Sequence, residues 1–298
     1  MIRENYFFYK LAKALSIGLP RGWAYKIASF IADIYYFLYK DEREALRHNF
    51  ITMGIDDEKK IRKYSRELFR NFAKNLVDFF RFGLMDRRFL RENVRIVGLE
   101  NMDNALKLGK GILGLTAHLG NWELGGIVMA QKGYPINAVI WEHKDKRIRE
   151  LFTYQRQRKG IKVIPLGIAL RRCFEALKNN EIVAMLGDRD FSEYGSKTKI
   201  NFLGKDFLVP RGPATLALRT QAVIVPGFTI REKDNSYTLY IEKPIKYSPT
   251  GDYDKDVLKL TQKIMEVIEK YIRKYPEQWF VFREFWEQQK QMNTDEHR

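Results

Sequence analysis

Within residues 118–123 (HLGNWE), His118 and Glu123 are the side chains whose types and spacing most readily suggest chemistry. An imidazole can take a proton from a hydroxyl near neutral pH. A carboxylate that accepts the hydrogen of its other nitrogen fixes the tautomer and stabilises the imidazolium. Such a pair is a general-base dyad. Residues 186–190 (LGDRD) supply a second cluster, in which Asp188 and Asp190 flank Arg189. That cluster can orient a sugar or phosphate, join His118 around a metal, or form a plain surface salt-bridge turn. The sequence has no Gly-x-Ser-x-Gly elbow, so the hydroxyl a base would activate belongs to a substrate rather than to the protein. Direct acyl transfer to an alcohol fits these residues. The competing readings are a structural His–Glu pair and a metal-dependent phosphoesterase built on His118, Asp188 and Asp190.

These side chains need elements to deliver them. Residues 111–116 read as a buried strand, followed by a polar turn and a helix for which Asn121 is a suitable N-cap. His118 then falls at the carboxyl end of a strand, where open α/β sheets bind ligands, and Glu123 can converge with it across the strand–turn–helix junction. Strand-like runs at 94–97, 111–116, 136–141, 161–165, 182–186 and 222–229 alternate with helical segments at 102–108, 122–131, 146–158, 169–178 and 213–219. This alternation predicts an α/β layered domain with a largely parallel sheet. A hairpin is expected where 224–232 and 237–243 flank the turn-rich 233–236. A last helix should run over 254–274 and stop before Pro276. No strand is assigned between 187 and 221, and 209–220 reads as a loop opening a helix whose amino end can bind an anion.

Residues 57–85 repeat apolar positions at spacings of three and four beside Arg66, Arg70, Lys74 and Arg81, which predicts an amphipathic helix with a basic side. Residues 1–40 break short apolar runs with single charges. They lack the roughly 18 apolar residues of a membrane span and the order of a secretory signal, and are read as one or two helices lying on a membrane. The organisation expected is a helical, membrane-associating region over 1–92, an α/β domain over 93–288 and a polar tail over 289–298.

Composition narrows the partner. The 53 Lys and Arg against 37 Asp and Glu leave a net charge of +16, so something anionic is expected to bind. Aromatic residues at 14% favour a membrane surface over nucleic acid, although binding of nucleic acid or anionic lipid through the basic surface remains the non-enzymatic alternative. The single Cys173 rules out an intramolecular disulfide framework and multi-cysteine metal sites, and suits a reducing compartment.

Taken together, the motifs resemble the lysophospholipid acyltransferase superfamily. Within it they resemble the bacterial lipid A biosynthesis acyltransferases and the related phosphatidylinositol-mannoside acyltransferases. Residues 118–123 are similar to its H-x-x-x-x-D/E block. Residues 187–190, 202–204 and 210–214 are similar to blocks of the lipid A and mannoside branch, and 275–279 (YPEQW) to its C-terminal signature. The F-P-E-G-T block of the glycerolipid branch is absent, and residues 280–286 lack the usual second aromatic–basic cluster. The resemblance implies His118 as general base and Glu123 as its orienting partner. It implies substrate-binding roles for Asn121, Asp188, Arg189, Asp190 and one of Arg156 and Arg158. Backbone amides near 120–121 or an arginine are expected to hold the oxyanion. No metal and no cofactor are implied beyond an acyl carrier protein or coenzyme A thioester as co-substrate. The acceptor implied is a membrane glycolipid of the lipid A precursor type, with another phosphoglycolipid as alternative. The implied location is the cytoplasmic face of the inner membrane, peripheral or monotopic.

Overall fold

The computed structural model describes residues 5–189 and 197–286. Asp190 and the tail 289–298 lie outside the described residues. Helices come first: α1 (Tyr6–Gly18), α2 (Arg21–Leu38), α3 (Lys40–Thr52), α4 (Glu58–Arg81) and the short α5 (Arg87–Asn93). Asp57 starts α4 by accepting the amides of Lys59 and Lys60, the capping expected of an Asp preceding an apolar-periodic run. The α4 helix buries Leu68, Phe69, Val77 and Phe80. Its basic side turns out to be largely spoken for: Arg66 and Arg70 both fork onto Asp33 of α2, with N–O distances of 2.5 to 2.9 Å.

The α/β body follows as β1 (Val94–Val97), α6 (Leu99–Leu106), β2 (Ile112–Thr116), α7 (Trp122–Gln131), β3 (Ile136–Ile140), α8 (Lys146–Gln157), β4 (Lys162–Pro165), α9 (Ala169–Lys178) and β5 (Ile182–Leu186). Then come β6 (Lys197–Phe202), β7 (Lys205–Pro210), α10 (Gly212–Thr220), β8 (Val223–Arg231), β9 (Tyr237–Ile241) and α11 (Tyr253–Lys274). The main sheet has the order β1-β9-β8-β2-β5-β3-β4. Every pairing is parallel except the β8–β9 hairpin. The strands at its centre read as continuous apolar runs because helices cover both faces. The predicted strands, the hairpin and the last helix all appear, with ends displaced by a residue or two.

The antiparallel hairpin β6–β7 is the element that sequence reasoning passed over. Its two-residue turn, Leu203 and Gly204, has φ of +54° and +88°, the doubly left-handed geometry usually marked by Asn-Gly. Leucine in the first turn position hides that signal. The Leu203 amide donates to Glu269 of α11 at 2.8 Å, which fastens the hairpin to the last helix.

Candidate active site

The parallel register of β2 and β5 pairs Ile112 with Ile182 and Thr116 with Leu186. Continued two residues beyond the strand ends, the same register sets His118 beside Asp188. The imidazole Nδ1 lies 2.8 Å from Asp188 Oδ1, and the His118 amide donates to the same oxygen at 3.2 Å. Asp188 is wholly buried. Its second oxygen accepts from Arg189 Nη2 at 3.0 Å and from the Trp279 indole Nε1 at 3.0 Å. Burial alone would raise the Asp188 pKa, but Arg189, His118 and Trp279 outweigh it and hold the carboxyl far below the usual range. Burial and the charge of Arg189 push the His118 pKa down, against smaller opposing effects of Asp188 and Glu123. A neutral imidazole therefore faces an ionised carboxylate near pH 7. Arg283 stands near the same charges.

The loop carrying His118 is pinned from several sides. Gly120 sits at φ +60°, and a Cβ there would come within 2.0 Å of the Thr229 carbonyl, so only glycine fits. The Gly120 amide donates to the Gln278 carbonyl at 2.9 Å and the Asn121 amide to the Thr229 carbonyl at 2.7 Å. Those amides, expected as oxyanion donors, are already used. Asn75 of α4 donates to the Gly120 carbonyl at 2.7 Å, and Phe280 donates its amide to the His118 carbonyl at 2.8 Å.

The carboxylate at Nδ1 is thus that of Asp188, not Glu123 as expected. Glu123, in the first turn of α7, is gripped by the Arg156 fork, with N–O distances of 3.0 and 2.5 Å. It reaches the ring through its charge. Asp188, expected at the substrate, has its two carboxylate oxygens engaged by His118, Arg189 and Trp279. Asn121, expected at the substrate, is buried: its oxygen caps α7 at Leu124, and its amide faces Asp78 and Tyr237 at 3.3 and 3.5 Å. Of the two arginines, Arg156 lines the site cavity, while the Arg158 guanidinium lies over the Tyr154 ring and against Gly83. Arg189 lines the cavity as well as holding Asp188. Among the described residues no group of three His, Cys, Asp or Glu side chains could hold a metal.

His118 opens onto a cavity of about 750 Å³, mostly apolar, lined by the sheet and by residues of helices α6, α7, α9 and α10. In register across β3, β5 and β2 stand Ala138, Ala184 and Gly114, so one row of the sheet is made of small side chains. The next row toward the strand starts carries Ile136 and Ile182, which close the space, with Met129 and Met102 on the opposite wall. The three small residues are visible in the sequence, but their alignment at one depth is a property of register.

Residues 3–288 match the bacterial lipid A biosynthesis acyltransferase family. The chain is 26% identical over 220 residues to the phosphatidylinositol mannoside acyltransferase of Mycolicibacterium smegmatis, covering 72% of this chain and 70% of the relative. It is 25% identical over 244 residues to the lipid A biosynthesis palmitoleoyltransferase of Escherichia coli, covering 82% and 78%. With the lipid A biosynthesis acyltransferase of Haemophilus influenzae it shares 23% over 213 residues, covering 72% and 65%. The chain belongs to the bacterial lipid A biosynthesis acyltransferase family and is an enzyme that transfers acyl groups.

Proposed function

We propose that this enzyme moves a fatty acyl chain from an acyl carrier protein or coenzyme A thioester to a hydroxyl on a membrane glycolipid, with His118 as general base. The acceptor class covers both kinds of relative: a lipid-anchored sugar, of the lipid A precursor or inositol-mannoside type. The observation that carries this reading is the Asp188–His118 pair at the mouth of the apolar cavity.

With Nδ1–H directed at Asp188, Nε2 carries the lone pair that takes the hydroxyl proton. The hydroxyl oxygen bonds to the thioester carbonyl carbon, the oxyanion collapses, the carbon–sulfur bond breaks, and the imidazolium returns its proton to the leaving thiolate. The acyl chain occupies the row of small residues, where burial of its methylenes contributes about 0.8 kcal/mol each. Two donors line the cavity in place of the spent amides: the Arg156 guanidinium, and the Thr116 hydroxyl, buried and unpaired among the described residues.

Helices α1 and α2 supply the membrane contact. Phe7, Trp23, Phe30, Phe37 and Leu38 are each at least 60% exposed, with Lys10, Lys13 and Lys26 beside them. No described helix is long and apolar enough to cross a membrane, so attachment is peripheral or monotopic. The location that goes with this chemistry is the cytoplasmic face of the inner membrane. Purified protein given an acyl thioester and extracted glycolipids should yield an acylated lipid with release of free thiol. Retention of that activity in His118→Ala would end the proposal.

A further inference from the structure

We infer that Trp279, in the C-terminal 275–279 segment, is a positioning residue for the transfer reaction: its indole N–H sets the orientation and charge of Asp188, and through it the basicity of His118. The inference rests on His118 being the base.

The contacts converge on one place. After α11 the chain turns through Pro276–Gln278 and runs past the catalytic loop as a strand-like strip. Leu119 and Trp279 form an isolated antiparallel bridge, flanked by the Gln278 carbonyl accepting from Gly120 and the Phe280 amide donating to His118. Gln278 adds a second anchor. Its side chain accepts the Arg231 amide at 3.0 Å and donates to the Arg231 carbonyl at 2.9 Å, imitating a missing strand partner for β8. The Phe280 carbonyl takes Arg189 Nη2 at 3.1 Å, so the strip also fixes the cation beside Asp188. The buried indole at the centre donates to the Asp188 oxygen that His118 leaves unused. A buried indole N–H needs an acceptor, and the one it meets here is the carboxylate that also holds the imidazole. That contact completes a set in which both carboxylate oxygens are directionally held, leaving Asp188 a single orientation in which to meet the ring.

Losing the indole donor returns negative charge to Asp188, which then binds the imidazolium more tightly. Trp279→Phe should therefore move the acid limb of the rate profile up by about half a unit to one unit and, because Asp188 is no longer held in a single orientation, lower kcat about tenfold with KM for both substrates within about twofold. Phe280→Leu removes neighbouring packing but no indole donor, and its acid limb should stay at the wild-type position. Should Trp279→Phe not fold, ¹⁵N-labelled protein in a Trp122→Phe background must still show an indole N–H that titrates with the acid limb. That background is needed because Trp122 also lies against the imidazole. An unmoved limb in Trp279→Phe, or no titrating indole, overturns the inference. His118→Ala at wild-type rate would instead overturn the reading beneath it.

Discussion

Arg231 on β8 and Asp78 on α4 form an ion pair at 2.8 Å with 3% and 0% of their side chains exposed. Tyr25 of α2 donates to Asp78 at 2.5 Å, and Tyr237 of β9 donates to the same carboxylate. The N-terminal helices are therefore joined to the sheet through a buried polar knot that also reaches Asn121 in the loop after His118. Breaking one partner leaves a buried charge without its counterpart, so Arg231→Met should lower stability by about 3–5 kcal/mol. The double variant Arg231→Met/Asp78→Leu should lose less than that. Urea unfolding of both variants checks the order.

Asp188→Asn keeps the shape of the site but presents an amide to Nδ1 in place of an acceptor-only carboxylate. Both it and His118→Ala should lose about 10²–10⁴ in kcat with KM little changed. Steady-state kinetics with an acyl thioester and lipid acceptor decide this, and a modest loss in Asp188→Asn would show that Asp188 does not hold the base.

The pH profile follows from the direction of the His118 shift. Burial lowers its pKa below the ordinary value of 6.5, and the base works only when neutral. Activity should be full above that value and fall as pH drops through a midpoint lying below it. Stability has the same sign in that window, because the unfolded chain binds the proton more readily than the folded one, so any stability tied to this group is lost on acidification. A kcat/KM profile together with unfolding midpoints between pH 4 and 8 tests both statements; an acid limb above 6.5 contradicts the first.

Chain length should answer to the row of small residues. Gly114 stands mid-sheet, and a Cβ there would meet Ile182 Cγ2 at 3.4 Å, an ordinary contact. Gly114→Leu should therefore fold and fill the cavity, shifting preference to shorter acyl groups, while Ile182→Ala should extend it. Each methylene that no longer fits should cost about tenfold or more in kcat/KM. Competition among thioesters of graded length gives the answer, and an unchanged length profile in both variants would place the acyl chain elsewhere.

Attachment to membranes should weaken when the exposed faces of α1 and α2 are made polar. Replacing Phe7 and Phe30 by Glu removes about 1.5–3 kcal/mol of burial at each site, enough for a loss of at least tenfold in partitioning to anionic vesicles. Cosedimentation measures it. Transfer from an acyl thioester to a detergent-dispersed acceptor should be left intact, since neither residue lines the cavity.

Much of this architecture was legible in the residues. Strand and helix alternation from residue 93 onward predicts the sheet, and Asn121 caps α7 as its type suggests. His118 is legible as a candidate, but the carboxylate that meets its Nδ1 is not. Glu123 is near in sequence, whereas Asp188 becomes its neighbour only through the pairing of β2 with β5, and register between strands so far apart leaves no local trace. The β6–β7 hairpin was missed because Leu203 stands where a turn-forming residue usually would. The basic stripe of α4 was legible as a stripe but not as the internal clamp on Asp33, which depends on how α2 crosses it.

The strip formed by residues 276–280 emerges from the ribosome long after His118. A nascent or truncated polypeptide lacking it would already carry α1 and α2 and the His118–Asp188 pair, but not the contacts that Gln278, Trp279 and Phe280 make to the His118 loop and Asp188. On the proposed mechanism, the order of synthesis therefore leaves the site unfinished until the chain has passed Phe280.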